Sequence, residues 1–217
     1  MDMKALSLAV QKGKLKAVKE LVNQALDEGV PVKQILDEGL IAPMGIVGEN
    51  FREKKIFVPE MLVAARAMSA GVKIIEPLFS ESGVETIGTV VIGTVKGDLH
   101  DIGKNLVAMM MKGIGATVYD LGIDVPDANF VEKAKEVGAD IVCISALLTT
   151  TMPAIGDVIR EFEKAGIRDD YYIMIGGAPV SQAFADEVKA DAYTSNASDV
   201  ADVAKEYLLS KKNKQEA

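Results

Sequence analysis

Thr89-Val90-Val91-Ile92-Gly93-Thr94-Val95, followed at once by Lys96-Gly97-Asp98-Leu99-His100-Asp101-Ile102-Gly103-Lys104-Asn105, is the stretch on which the fold turns. The opening run is rich in β-branched residues and broken only by glycine, the composition of a buried strand. From Gly103 the spacing becomes helical, through Leu106, Val107 and the Met109-Met110-Met111 run. A strand that hands a loop to a helix is the first half of a β-α-β unit, and its loop lies at the carboxyl end of the strand, where open α/β sheets bind ligands. His100, the only histidine of the chain, sits in that loop between Asp98 and Asp101. A lone histidine also occurs as a surface or core residue satisfied by a nearby acceptor. Its position beside a helix N-terminus in a glycine-flanked loop points to ligand binding instead.

Downstream the same grammar repeats. Strands are expected at 89–95, 117–121, 141–145, 171–175 and 192–194, with helices at 103–114, 127–137, 152–165, 180–188 and 198–209. Such alternation implies a parallel, doubly wound sheet covered on both faces, Rossmann-like or flavodoxin-like. Upstream the punctuation is purely helical. Leu15, Val18, Leu21, Val22, Ala25 and Leu26 recur at intervals of three and four, Gly29 stops that helix, and Pro31 opens the next. A second stretch runs through Ile35, Leu36, Leu40, Ile41, Met44 and Val47. A third begins at Pro59, carries Met61, Leu62, Ala65, Met68 and Val72, and ends before Pro77. Residues 80–86 have no apolar period and read as a linker. The tail from Lys211 to Ala217 is polar and expected to fray.

The 217 residues suffice for one large or two small domains, and a hydrophobic content of 49% is ample for a packed core. A net charge of −8 leaves no basic stripe for displacing counterions from phosphates, so no nucleic-acid partner is expected. Cys143 has no second cysteine to pair with, and within Ile141-Val142-Cys143-Ile144 it reads as a buried small hydrophobe in a reducing cytoplasm. Neither a leader-like apolar segment nor a stretch long enough to span a bilayer is visible, so no membrane partner is expected.

With strand order 2-1-3-4-5, the first, third and fourth strands are neighbours and their carboxyl-end loops face one crevice. The loops are 97–103, the Ser145-Ala146-Leu147-Leu148-Thr149-Thr150-Thr151 run, and Gly176-Gly177-Ala178-Pro179. The glycine pair either lets backbone approach a ligand or simply makes a turn. The hydroxyls of Ser145, Thr149, Thr150 and Thr151 can bond a ligand, although an N-cap for the next helix accounts for at least one, with Thr150 or Thr151 placed for it. Neither G-x-G-x-x-G after the first strand nor a P-loop motif occurs, which removes the main support for dinucleotide or ATP binding. Zinc hydrolysis commonly needs two or three His or Cys ligands, and a Ser145, His100, Asp98 triad lacks the G-x-S-x-G elbow. One histidine is enough when a metal arrives already held by a macrocycle and needs one axial ligand.

Gly97-Asp98-Leu99-His100-Asp101-Ile102-Gly103, then Ser145-Ala146-Leu147, then Gly176-Gly177 resemble the D-x-H-x-x-G, S-x-L and G-G signature of cobalamin-binding domains. The resemblance covers nearly the whole chain, because the helical first region looks like the four-helix cap of methionine synthase and of the small corrinoid proteins. It implies an α/β fold in which a four-helix bundle cap, residues 1–82, precedes a Rossmann-like (flavodoxin-like) five-stranded parallel-sheet domain, residues 88–212. It also implies cobalamin as cofactor, with His100 displacing the cofactor's own benzimidazole and binding cobalt from the lower face. Asp98 would hold the other imidazole nitrogen, as partners of metal-bound histidines do, and Thr151 would extend that relay. Gly97, Leu99, Asp101, Gly103 and Leu147 would border the cofactor. Ser145 and Thr149 would hold its displaced nucleotide tail, with Gly176 and Gly177 making room and Ala197, in Asn196-Ala197-Ser198, lining the tail pocket. In the cap, Phe51, Val58 and Met61 would cover the upper face, with Asp37 or Glu38 near it, although Val58 and Met61 also suit ordinary bundle core.

The implied activity is methyl carriage: cobalt(I) takes a methyl group and passes it to a thiolate or to tetrahydrofolate, while the His100 and Asp98 pair gains and loses a proton. The chain is too short to include a substrate-activating barrel of about 250 residues. Three partners are therefore implied: a substrate-specific methyltransferase, a second methyltransferase acting on coenzyme M or tetrahydrofolate, and a reductive activator. The pattern resembles the corrinoid proteins of methylamine, methanol and quaternary-amine systems, methylamines being favoured, with O-demethylase systems as close relatives. Other classes are a cobalamin-dependent mutase subunit, which lacks such a cap, a cobalamin-binding regulatory module, and a ligand-free flavodoxin-like interaction module.

Overall fold

The computed structural model describes residues 3–78, 86–194 and 197–215. The chain divides into two compact units, Met1–Thr86 with Lys112–Gly115, and Ile87–Met111 with Ala116–Ala217. Most of the expected linker, residues 80–85, lies outside the described residues.

The first unit is helical: α1 (Met3–Gln11), α2 (Leu15–Asp27), α3 (Val32–Gln34), a π-helical segment (Ile35–Ile41), α4 (Ala42–Arg52) and α5 (Val58–Ile75). Helix α2 packs along α5, and α1 packs against α2 and the π-helical segment. The amphipathic residues Val18, Val22 and Ala25 are fully buried, as their spacing requires. Two features depart from expectation. Helix α1 is not among the helical stretches the periodicity set out, yet it buries Leu6, Ala9 and Val10 at the spacing of a helix face. The second stretch is not one α-helix, because Ile35–Ile41 adopts the wider π geometry before α4 resumes. Such segments are rare and follow no residue preference readable from periodicity. Helix α5 starts where Pro59 fits the first turn, and the Phe57 amide donates to the Glu60 carboxylate at 3.1 Å, a first-turn arrangement that satisfies an orphan donor.

The second unit alternates β1 (Thr89–Thr94), α6 (Ile102–Gly113), β2 (Thr117–Asp120), α7 (Asp127–Val137), β3 (Ile141–Ser145), α8 (Pro153–Lys164), β4 (Tyr172–Gly176), α9 (Gln182–Val188), β5 (Ala192–Tyr193) and α10 (Ala197–Gln215). All pairings are parallel and the five strands run β2-β1-β3-β4-β5, the flavodoxin-like one of the two orders left open and the one that makes β1, β3 and β4 neighbours. Successive side chains alternate between faces. Val91, Val142, Ile144, Ile173 and Ile175 point to one face, where Phe130, Ile155, Val158 and Phe162 of α7 and α8 complete a core. The other face carries two rows in register: Ile92, Cys143 and Met174, and at the carboxyl ends Thr94, Ser145 and Gly176.

Boundary differences have local causes. Strand β4 begins at Tyr172 rather than Tyr171, whose ring packs edge-on against Phe162 at 5.1 Å. The tail from Lys211 is helical as far as Gln215, the last described residue. Helix α10 is held by a Lys211 Nζ to Asp140 Oδ1 bond of 2.7 Å and by Tyr207 stacked on Tyr172 at 4.1 Å. Those partners are remote in sequence, so composition alone could not reveal them. Among the described residues no helix is long and apolar enough to cross a membrane.

Candidate functional site

Gly97 takes φ +81, which opens the loop after β1 without a Cβ penalty, and its amide donates to Asp124 Oδ1 at 2.7 Å. The loop is fixed at two further points: the buried Thr94 hydroxyl donates to the His100 carbonyl at 3.0 Å, and the Asp124 amide donates to the Asp98 carbonyl at 3.0 Å. These bonds present His100 with its side chain 48% exposed, above an Asp98 that is completely buried. His100 Nδ1 lies 2.7 Å from Asp98 Oδ1. The other carboxylate oxygen accepts from the Leu147 amide at 2.7 Å and the Thr151 hydroxyl at 2.6 Å.

Burial is the strongest single influence on the Asp98 carboxyl and pushes its pKa up, but the bonds from Thr151, Leu147 and His100 together outweigh it. They hold the group well below the usual carboxylate range, so it stays ionised as an acceptor. With Nδ1 committed as donor to that carboxylate, the neutral imidazole keeps its lone pair on Nε2. No hydrogen bond to Nε2 occurs among the described residues. Nor do those residues include a group of three or more His, Cys, Asp or Glu side chains that could hold a bare metal ion. His100 is a lone donor atom, oriented and exposed.

Beside it opens a cleft of about 810 Å³ between the Ile92, Cys143 and Met174 face of the sheet and helices α6 and α10. Leu99, His100, Asp101 and Gly103 come to it from the first loop, Ser145 and Leu147 from the second, Gly176 and Gly177 from the third, and Ala197 from α10. The glycines divide the work. Gly177 has φ +133, and a Cβ there would stand 1.7 Å from the Ala146 carbonyl oxygen, so the backbone crossing requires glycine. At Gly176 and Gly103 a Cβ would meet nothing within 4 Å, so side chains there would extend into open space. Gly97, Asp98 and Thr151 do not line the cleft but support it from behind. Thr149 is exposed and outside the lining. Neither Thr150 nor Thr151 caps α8: Met152 holds that position with no side-chain bond, and the Thr151 hydroxyl is turned to Asp98 instead.

Residues 88–204 match the B12 binding domain family, and residues 3–76 match a second family with the same description. A dimethylamine corrinoid protein of Methanosarcina acetivorans is 45% identical over 207 residues, spanning 95% of this chain and 97% of that one. The chain belongs to the B12-binding corrinoid proteins. A trimethylamine corrinoid protein of the same organism is 44% identical over 192 residues, covering 88% of this chain and 89% of its own. Among solved structures, the methanol:cobalamin methyltransferase complex of Methanosarcina barkeri aligns with a TM-score of 0.86 at 30% identity, covering 95% of this chain and 79% of the matched chain.

In this corrinoid protein several residues that shape the site escaped the sequence reading. Thr94 and Asp124 anchor the loop, yet a threonine ending a strand and an aspartate 24 residues beyond His100 carry no local signal. Lys104 is 3% exposed and its ammonium bonds Asp120 Oδ1 at 2.7 Å and Asn105 Oδ1 at 2.7 Å, while Asn105 in turn donates to Asp101 Oδ2 at 2.9 Å. A cation in the first turn of a helix opposes the macrodipole, which is the one hint that it needed a buried partner. The cap candidates all lie in the helical unit. Phe51 and Val58 are half-buried, Asp37 and Glu38 are exposed on the π-helical segment, and Met61 is 1% exposed, the burial that ordinary bundle core demands.

Proposed function

We propose that this chain is the methyl carrier of a methylamine methyltransferase system, with His100 as the lower axial ligand of its corrinoid. The observation that carries the reading is the commitment of Nδ1 to Asp98 at 2.7 Å, which leaves Nε2 as the free donor at the mouth of a cleft of about 810 Å³. When bound, the corrinoid supplies a cobalt centre that accepts a methyl group and gives it up again. Asp98 and Thr151 orient His100 and hold the proton on Nδ1. Ser145, Leu147, Gly176, Gly177 and Ala197 line the space for the nucleotide tail, and the open space over Gly176 and Gly103 suits that bulk. Thr149 reaches the tail only by a change of loop conformation. Leu99, Asp101 and Gly103 border the corrin, and Phe51, Val58 and Met61 belong to a helical cap, residues 1–82, that precedes the cobalamin-binding domain at 88–212.

The dimethylamine and trimethylamine in the relatives' names support a methylated amine as donor, presented by a substrate-specific methyltransferase. A second methyltransferase, acting on coenzyme M or tetrahydrofolate, collects the methyl group, a reductive activator restores the carrier, and the system works in the cytoplasm. Incubation of the purified protein with hydroxocobalamin tests the reading. A protein-bound chromophore with a histidine-ligated spectrum is expected, and His100→Ala loses the histidine signature while keeping its circular dichroism. A wild-type protein that emerges colourless from gel filtration would sink the assignment.

A further inference from the structure

Resting on the corrinoid reading above, we propose that the floor of the cleft selects which lower base the corrinoid carries, accepting an apolar aromatic base of the benzimidazole type and discriminating against a purine. The strand register separates mouth from floor. Thr94, Ser145 and Gly176 stand in one row at the carboxyl ends, and Ile92, Cys143 and Met174 stand in the next row on the same face, roughly 6 to 7 Å deeper at the strand rise. The mouth is polar, with His100, Asp101 and the Ser145 hydroxyl. The floor is not: Ile92, Cys143 and Met174 are 2%, 5% and 3% exposed, and Leu106, Val107 and Val200 face them from α6 and α10.

Among the described residues, two sulfur atoms are the only side-chain heteroatoms of those six floor residues; of the other polar groups along the cleft, the Lys104 ammonium is taken by Asp120 and Asn105, Tyr193 packs with the core of the opposite sheet face, and Thr194 stands beyond β5 at the level of Gly176. Burial pushes the Cys143 thiol up to about 12, so it is neutral, and a thiol and a thioether are weak partners at best. A benzimidazole lays an apolar benzo edge on such a surface. A purine brings an exocyclic amine and further ring nitrogens, which lose water there without regaining hydrogen bonds. Each such unpaired group weakens binding by about tenfold.

The test is a titration of the apoprotein, followed by absorption and by retention on gel filtration, with cobalamin, with its adenine-based counterpart and with cobinamide, which has no nucleotide tail. The adenine form is expected to bind at least about tenfold more weakly than cobalamin, and cobinamide more weakly than cobalamin as well. Met174→Gln, which places an amide on the floor, is expected to narrow the gap between the adenine form and cobalamin severalfold. Cys143→Ser, a nearly isosteric change, does the same to a smaller degree if Met174→Gln fails to fold. Adenine and benzimidazole forms binding within twofold of each other, cobinamide binding as tightly as cobalamin, or a gap unmoved by the folded variants would each overturn the inference and leave the corrinoid assignment standing. Failure of all three corrinoids to bind would overturn both.

Discussion

The three loops at the carboxyl ends of β1, β3 and β4 and the segment 51–61 of the helical unit differ in how their residues are held. Asp98 takes hydrogen bonds from a side chain 53 residues away and a backbone amide 49 residues away, those of Thr151 and Leu147, and Gly177 is fixed by a carbonyl of the neighbouring loop. Each of these positions tolerates one residue type for a directional reason. Phe51, Val58 and Met61 are specified by burial alone, which many apolar residues satisfy. Directional constraints make chemistry legible residue by residue, whereas burial makes only a fold legible.

The largest expected effect lies in the loops and concerns structure rather than ligand. Gly177→Ala must relieve a contact of 1.7 Å with the Ala146 carbonyl at φ +133, and a loss of about 4 kcal/mol in urea unfolding is expected. Gly176→Ala, one residue away with nothing within 4 Å, should unfold like wild type and show its effect only as weaker corrinoid retention. Equal losses of stability at the two positions would break the division drawn between them.

Next in size is Asp98→Ala. It leaves the Leu147 amide, the Thr151 hydroxyl and the His100 amide facing a space without an acceptor, a destabilisation of about 3 kcal/mol together with loss of the histidine-ligated spectrum. Thr151→Val removes one bond to a charged acceptor and should cost about 1.5 kcal/mol. The pH dependence has a definite sign. The folded-state pKa of Asp98 is depressed, so the carboxylate contributes stability that is fully present above its unfolded value near 3.9 and is lost as pH falls towards the folded value. The stability difference between wild-type apoprotein and Asp98→Asn should therefore be flat at neutral pH and shrink below about pH 4. A difference that grows on acidification would remove the carboxylate from this role.

Much of the α/β unit could be read from sequence because two periods, that of the strand and that of the helix, alternate with glycine punctuation; right-handed connections narrow the strand orders but leave both the Rossmann-like and the flavodoxin-like one open. The Asp98 to Thr151 pairing was legible only through the resemblance to cobalamin-binding domains, since nothing local joins residues 53 positions apart. Thr94, Asp124 and Asp120 were not legible, because their partners are backbone groups or a lysine whose approach depends on the finished sheet. In the helical unit the π-helical turn at Ile35–Ile41 defeated the period itself.

The smallest effect is the one that bears most directly on the contrast between the two regions. Phe51 is half-buried near the end of α4, so Phe51→Ala removes a ring whose burial is incomplete and should cost about 1 to 2 kcal/mol, less than a fully buried phenylalanine. A core role ends there. A covering role predicts more: the methylated holoprotein of Phe51→Ala should photolyse severalfold faster than wild type, because a ring that shields the reactive face slows access of water and oxygen. Met61→Ala supplies the reference, since Met61 is 1% exposed and should lose more stability, about 2 to 4 kcal/mol, with less change in photolysis. Equal photolysis rates in wild type and Phe51→Ala would reduce residue 51 to packing. A faster rate in both variants would mean that loosening the bundle, rather than any one side chain, exposes the cofactor.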